Sequence, residues 1–292
     1  MRRSFLFLPG NSPKMLLNGI WMPSDGLIFD LEDAVSPTEK DAARMLVRSA
    51  LSTVDYGRHE LVVRINALDT PYWQADLEAI LPQKPAMILL PKADGSASIQ
   101  TLDTAMRALE QQHGLAEGTV KIGALIETAL GVERAFEIAA ASSRVDALFL
   151  GAEDLTADTR STRSLQGEEI FYARGRLVNA ARAGNVEVYD TPFTDVNDLD
   201  ALASDAALAR QMGFSGKLVI SPRHLETVNR IFSPSDAEIQ YAKDVFTALE
   251  EGKRLGRGAV ALRGKMIDAP VVKRATRILQ MVAETEDCLC QN

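Results

Sequence analysis

Two carboxylates stand at the ends of neighbouring apolar runs. Glu127 closes KIGALIE (121–127), and Asp154 follows ALFLG within ALFLGAEDL (147–155). Anions brought into one pocket repel each other unless a cation or a shared proton lies between them. Oxygen donors with open coordination positions suit a hard ion, most simply Mg2+ keeping several waters, with Mn2+ as a substitute. His59, His113 and His224 show no ligand spacing, so a transition-metal site is not expected. Separate ion pairs with neighbouring Arg or Lys are the alternative reading of Glu127 and Asp154. Glu153 is expected beside the pair, orienting it or lying at a helix N-terminus, rather than gripping the ion itself.

The segment FDLEDAV (29–35) adds Asp30, Glu32 and Asp33. Glu32 and Asp33 can orient waters around an ion or balance basic groups. They equally fit a helix start ahead of Pro37, where anions are favoured. Arg64 is the one charge in LVVRIN, and a buried cation is costly without a partner. It either pairs with Glu32 or Asp33, or presents its planar fork to a substrate carboxylate or a developing enolate oxygen. Lys92, in LLPKAD, reads as a Schiff-base lysine or as an ion-pair partner of a pocket carboxylate.

These residues need a frame that gathers them. Eight short apolar runs recur: SFLFLPG (4–10), GLIFDLED (26–33), ELVVRIN (60–66), AMILLPK (86–92), KIGALIE (121–127), ALFLGAED (147–154), VEVYD (186–190) and GKLVISP (216–222). Helix-spaced segments such as EKDAARMLVRSAL (39–51) separate them. Strands apolar on both faces, alternating with helices, indicate a parallel sheet. Eight units fit an α/β fold closed as a (β/α)8 TIM barrel over residues 1–232. An open doubly wound sheet is the alternative; PGNSPK after the first run is not its Gly-rich turn. Asp30, Glu32, Asp33, Arg64, Lys92, Glu127, Glu153, Asp154 and Asp190 all fall at C-terminal run ends, the face where barrel enzymes build their sites. The N-terminal ends are read as lacking such a cluster. Residues 233–292 form a helical extension: a helix starting at SPSD (233–236), a glycine-rich stretch GKRLGRGAVALRGKMIDAP (252–270), and a last amphipathic helix. The glycine-rich stretch is either a lid or a surface linker.

The 292 residues are 46% hydrophobic, enough for a substantial core, and a net charge of −8 argues against an extended nucleic-acid surface. No run approaches the ~20 apolar residues of a membrane span. The apolar start of MRRSFLFLPG is cut by Pro9-Gly10 and is shorter than the roughly 7–15 residues of a signal-peptide core. Cys288 and Cys290 sit at the very end and read as a reduced tail in the cytoplasm.

Taken in order, RRSFLFLPGN, GLIFDLEDAV with Lys40 following, ELVVRIN, GALIET, LFLGAEDL, GFSGKLVISP and GKMIDAP resemble the citrate lyase β-subunit-like branch of the HpcH/HpaI aldolase family. That branch includes citryl-thioester lyases and malyl- and citramalyl-CoA lyases. The resemblance spans nearly the whole chain and implies a homotrimeric or hexameric, Mg2+-requiring barrel. It makes Glu127 and Asp154 the metal ligands and Arg64 the substrate-binding arginine. Ala152, Glu153 and Asp154 then contact the substrate, with N–H groups after the sixth run stabilising charge. Asp268 of KMIDAP is similar to an acid that a neighbouring subunit's lid brings over the site. Asn11 and Lys14 would touch the CoA or carrier arm, as would Arg160 and Arg163 unless they are merely solvated. Ser221 and His224 depart from the family pattern at the expected pocket rim and bear on substrate choice.

The reaction implied is cleavage of a 3-hydroxyacyl thioester, citramalyl-CoA or malyl-CoA first, to a 2-oxo acid and acetyl-CoA. The alternatives are the β subunit of a citrate lyase, acting on a carrier-bound citryl group alongside α and γ subunits, and a non-catalytic thioester-binding or assembly protein.

Overall fold

The structure is a computed structural model and describes residues 1–255 and 259–290, except the side chains of 284–290. The two cysteine side chains and residues 256–258 of the glycine-rich stretch therefore lie outside the described residues. Eight parallel strands close into a barrel in sequence order: β1 Ser4–Pro9, β2 Gly26–Asp30, β3 Glu60–Arg64, β4 Met87–Leu90, β5 Lys121–Ile126, β6 Val145–Leu150, β7 Glu187–Asp190 and β8 Gly216–Val219. Each coincides with one of the eight apolar runs, β6 starting two residues ahead of its run. β1 pairs with β8 as well as β2, so the alternative of an open sheet is excluded.

Successive side chains on a strand point to opposite faces, and the eight strands sort accordingly. Phe5, Ile28, Val62, Met87, Leu89, Leu125, Ala147, Phe149, Tyr189 and Leu218 fill the barrel interior. Their neighbours Leu6, Leu27, Val63, Ile88, Ala124, Leu148, Val188 and Val219 face the helices in the larger outer core. Phe5, Phe149 and Tyr189 plug the interior with edge-on and stacked ring contacts.

The same phase carries polar residues to particular sides. Two steps beyond Ile28 lies Asp30, and two beyond Val62 lies Arg64; the two are register partners on β2 and β3, so both point inward at the C-terminal mouth. Glu127 follows Leu125 by two in the same way. Asp190 does not join them, because inward-facing Tyr189 precedes it by one. It points outward, is fully buried, and pairs with its register partner Lys217 at 2.5 Å and with Arg174 at 2.8 Å. Asp205 completes this network, 2.6 Å from both cations. The N-terminal mouth is also charged, contrary to the reading of the runs: Arg2 pairs with Glu60 at 2.6 Å and with Asp146.

By clustering of contacts the chain divides at Phe232/Ser233 into a barrel unit and a C-terminal unit. In the latter, Ser235 of SPSD caps the helix Asp236–Arg254 through a capping box with Glu238. Part of the glycine-rich stretch forms a hairpin, Ala261–Leu262 against Lys265–Met266, turning at Arg263-Gly264 with φ of 49° and 78°, as a two-residue I′ turn requires. The helix Ala269–Cys290 follows.

Removing one member of a buried ion network strands its partners in a medium that cannot solvate them. Asp190→Ala should destabilise the barrel by about 3–5 kcal/mol, read from the midpoint of urea unfolding; a loss under 1 kcal/mol would contradict the burial described.

Candidate active site

A cavity of about 440 Å3 opens at the C-terminal mouth, lined by Asp30, Asp33, Arg64, Glu127, Glu153 and Asp154 among apolar residues including Phe7, Met15, Leu125 and Ile220. Each charged side chain arrives there for a local reason. Glu127 is the residue after β5, 3% exposed. Its Oε1 accepts the Lys92 N–H at 2.8 Å. That amide is aimed by left-handed backbone at Lys92, φ 51°, a conformation that costs energy for a non-glycine residue. On the other side of Glu127 sits Gly151: a Cβ there would fall 2.6 Å from Glu127 Oε2. The glycine of GAEDL thus lets the backbone pass close behind a buried carboxylate.

Asp154 lies in the first turn of the helix Ala152–Asp158. Glu153, one residue before it in the same first turn, is mostly exposed and paired with Arg163 at 2.9 Å. Arg163 also binds Glu169, so it is committed to the loop rather than held for a phosphate. Arg160 is exposed.

Arg64 pairs with Glu32, one of the partners the sequence offered, but its tightest partner is one the sequence reading did not name, Asp30, gripped at 2.7 Å through Nε and 2.6 Å through Nη2. Nη1 lies 2.9 Å from Glu32 Oε2 and 4.0 Å from Asp33. The Glu32 contact pairs charges, but its angles form no hydrogen bond. Phe7 lies against the guanidinium, 5.0 Å from its ring centre. Lys40, from the helix Lys40–Thr53, is buried and donates to the carbonyls of Leu31 and Glu32 at 2.8 and 2.7 Å, pinning the loop that carries the acids.

Burial pushes the Glu127 carboxyl up to about 8, helped by the charge of Glu32 and, less, of Asp154. Burial likewise pushes Glu32 to about 7, against the pull of Arg64. Lys92 behaves oppositely: burial disfavours its charge, but Glu32, Asp33, Asp154 and Glu127 outweigh that and raise it. Its ammonium, 3.6 Å from Glu32, is a fixed cation, and the Schiff-base reading is withdrawn.

Around the mouth, Lys40, Arg64 and Lys92 face Asp30, Glu32, Asp33, Glu127 and Asp154, so with all eight ionised two negative charges are unmatched. Among the described residues no three His, Cys, Asp or Glu form a metal cage. Glu127 and Asp154, the pair expected from the sequence to hold a divalent cation, both line the cavity.

Ala152 lines the cavity as well, and its N–H is donated to Thr191 Oγ1 at 3.0 Å. Asn11 bonds Glu39 at 2.9 Å, and neither it nor Lys14 lines the cavity. Ser221 and His224 are not at the rim either: Ser221 caps the turn Pro222–His224, and His224 is buried against Phe193, where burial lowers its imidazole pKa. Asp268 belongs to the C-terminal unit and accepts the Val271 N–H at 3.0 Å, at the start of its last helix.

A parallel barrel whose acids, one arginine and apolar walls converge at the C-terminal mouth is built as an enzyme, of the kind that manages negative charge on oxygen. Comparison with known proteins names the class. The family model HpcH/HpaI aldolase/citrate lyase matches residues 3–222; the chain belongs to this family and is a carbon–carbon lyase. It is 43% identical over 281 residues to the citrate lyase subunit beta of Leuconostoc mesenteroides subsp. cremoris, covering 96% of this chain and 93% of that one. It is 32% identical to the L-malyl-CoA/beta-methylmalyl-CoA lyase of Cereibacter sphaeroides, covering 95% and 93%. The structure of CitE from Mycobacterium tuberculosis in complex with magnesium, acetoacetate and coenzyme A matches with a TM-score of 0.79 at 30% identity, over 97% and 98% of the two chains.

The raised Glu127 makes a testable demand on stability. Its folded value of about 8 lies above its ordinary 4.5, so the folded state holds the proton more tightly. Its contribution is complete below about pH 4.5 and is lost as pH rises through 8, at up to ~1.4 kcal/mol per pH unit. In chelator, Glu127→Gln should remove this decline between pH 5 and 8 in thermal melts; parallel curves for the two proteins would refute the assignment.

Proposed function

We propose that the protein is a magnesium-dependent lyase that cleaves a 3-hydroxyacyl thioester whose C3 also bears a carboxylate. The observation that carries this reading is the convergence of Glu127, Asp154 and Arg64 on one cavity with unmatched negative charge. Glu127 and Asp154 would hold Mg2+, whose charge when bound would neutralise them and acidify the substrate hydroxyl. The C3 hydroxyl gives up its proton, its oxygen becomes a ketone, and the C2–C3 bond breaks. The electron pair passes to the thioester as an enolate, and a proton delivered to C2 yields the acetyl thioester.

Each side chain has a part in this. Arg64 offers positive charge to an oxygen on which negative charge develops. Lys92 fixes Glu127 through its amide and balances Glu32 through its ammonium. The apolar wall of Phe7, Leu125 and Ile220 limits water, which would quench the enolate. Asp268, by the family resemblance, is the acid for C2.

The particular substrate we infer is a citryl thioester, with the chain acting as the β subunit of a citrate lyase; the identity of 43% to such a subunit supports it. Malyl- or citramalyl-CoA is the second reading, supported by the malyl-CoA lyase relative. The test offers citryl, citramalyl and malyl thioesters to the purified chain, with CoA and with carrier protein, and measures release of 2-oxo acid. Cleavage should stop in chelator and fall at least ~100-fold in Glu127→Gln and Asp154→Asn. Turnover indifferent to chelator would end the magnesium reading.

A further inference from the structure

Asp30 has no role in the reaction described so far, yet it is the most engaged carboxylate at the mouth. It is 2% exposed. Oδ1 accepts from Arg64 Nε at 2.7 Å and from the Glu32 N–H at 2.9 Å. Oδ2 accepts from Arg64 Nη2 at 2.6 Å and from the Ala34 N–H at 3.2 Å. One side chain therefore fixes two things together: the arginine, and the loop that carries Glu32 and Asp33.

The way it holds Arg64 decides what that arginine can offer. A guanidinium grips a carboxylate best with two parallel N–H bonds along one edge. The Nε–Nη2 edge of Arg64 is already used in that way. One face of the guanidinium plane lies over the Phe7 ring. What remains is the Nη1–Nη2 end, with Nη1 toward Glu32 and Asp33, on a residue that lines the cavity.

We infer that Asp30 is a positioning residue for the lyase reaction: by occupying the Nε–Nη2 edge of Arg64 it excludes a side-on grip on a substrate carboxylate and turns the Nη1 end of the fork to the oxygen on which charge develops. The inference rests on the lyase reading for the identity of that oxygen. Its geometry, β2 and β3 side chains in direct register, does not. An interaction with one oxygen that gains charge only as the bond breaks acts on kcat; a two-pronged grip on a ground-state carboxylate acts on KM.

The test uses the full chain with Mg2+ and the thioester it cleaves. Asp30→Asn keeps the shape and removes the charge that orients the fork. It should lower kcat about 100-fold, the scale of a small misplacement at a reacting centre, with KM changed less than about threefold. In an Arg64→Ala background, Asp30→Asn should cost no more than about twofold further, because the aspartate acts through the arginine. A rise in KM with kcat retained, or additive losses in the double variant, overturns the inference.

A second measurement needs no turnover. The Arg64 Nε–H resonance, assigned by its absence in Arg64→Lys, should exchange slowly with water in the native chain and much faster in Asp30→Asn. Equal exchange overturns the clamp even if the protein proves to be a lyase. If no thioester is cleaved but exchange accelerates, the clamp stands and the functional reading fails.

Discussion

With its carboxylates ionised, the mouth of this barrel holds more negative charge than its described cations neutralise, and the site is organised around that imbalance. Arg64 is committed to Asp30, Lys40 to two backbone carbonyls and Lys92 to Glu32. Among the described residues Glu127 and Asp154 have no ion-pair partner. Two responses are open to a buried carboxylate in that condition: take up a proton, or take up a metal. The upward displacement of Glu127 to about 8 is the first. Binding of a divalent cation, as proposed, would be the second, at a carboxylate already held by the Lys92 amide and backed by Gly151.

Much of the architecture was legible in the residue pattern, and the reason is physical. Parallel strands covered on both faces read as unbroken apolar runs, so all eight strands stand out. That same continuity hides the phase. A run apolar at every position does not reveal which alternate residues face inward, and so position at a run end was an imperfect guide to the site. Asp190 sits at such an end and turns outward; Asp30 sits at another and turns inward to claim Arg64. The legible signal was relational. Asp30 and Arg64 are opposite charges at equal depth on consecutive strands, and so are Asp190 and Lys217. In-register neighbours on parallel strands point to the same side, so each pair should be sought together.

Other misreadings have equally local causes. Ser221 and His224 follow the last strand, and the chain turns there at once into a capped 3-10 turn that swings them away from the cavity. The Ala152 N–H lies at a helix start, where free donors are expected, but Thr191 reaches across from the next strand end to take it. The side chain that resolves such a donor comes from a distant part of the sequence, and local pattern cannot supply it.

Charge balance separates the two buried networks of the barrel. Arg174 and Lys217 meet Asp190 and Asp205 in equal number, each cation bonded to both acids. Such a set is balanced in charge without a ligand and serves to join β7, β8 and their helices. The mouth is built from the same residue types on the same kind of strands but is left two charges short and open to a cavity. A neutral, closed network has no use for a cation, whereas an unbalanced, open one has a place for it. By that criterion the chemistry belongs at β2, β3, β5 and β6, and the outward pair on β7 and β8 belongs to the scaffold that keeps the cavity in shape.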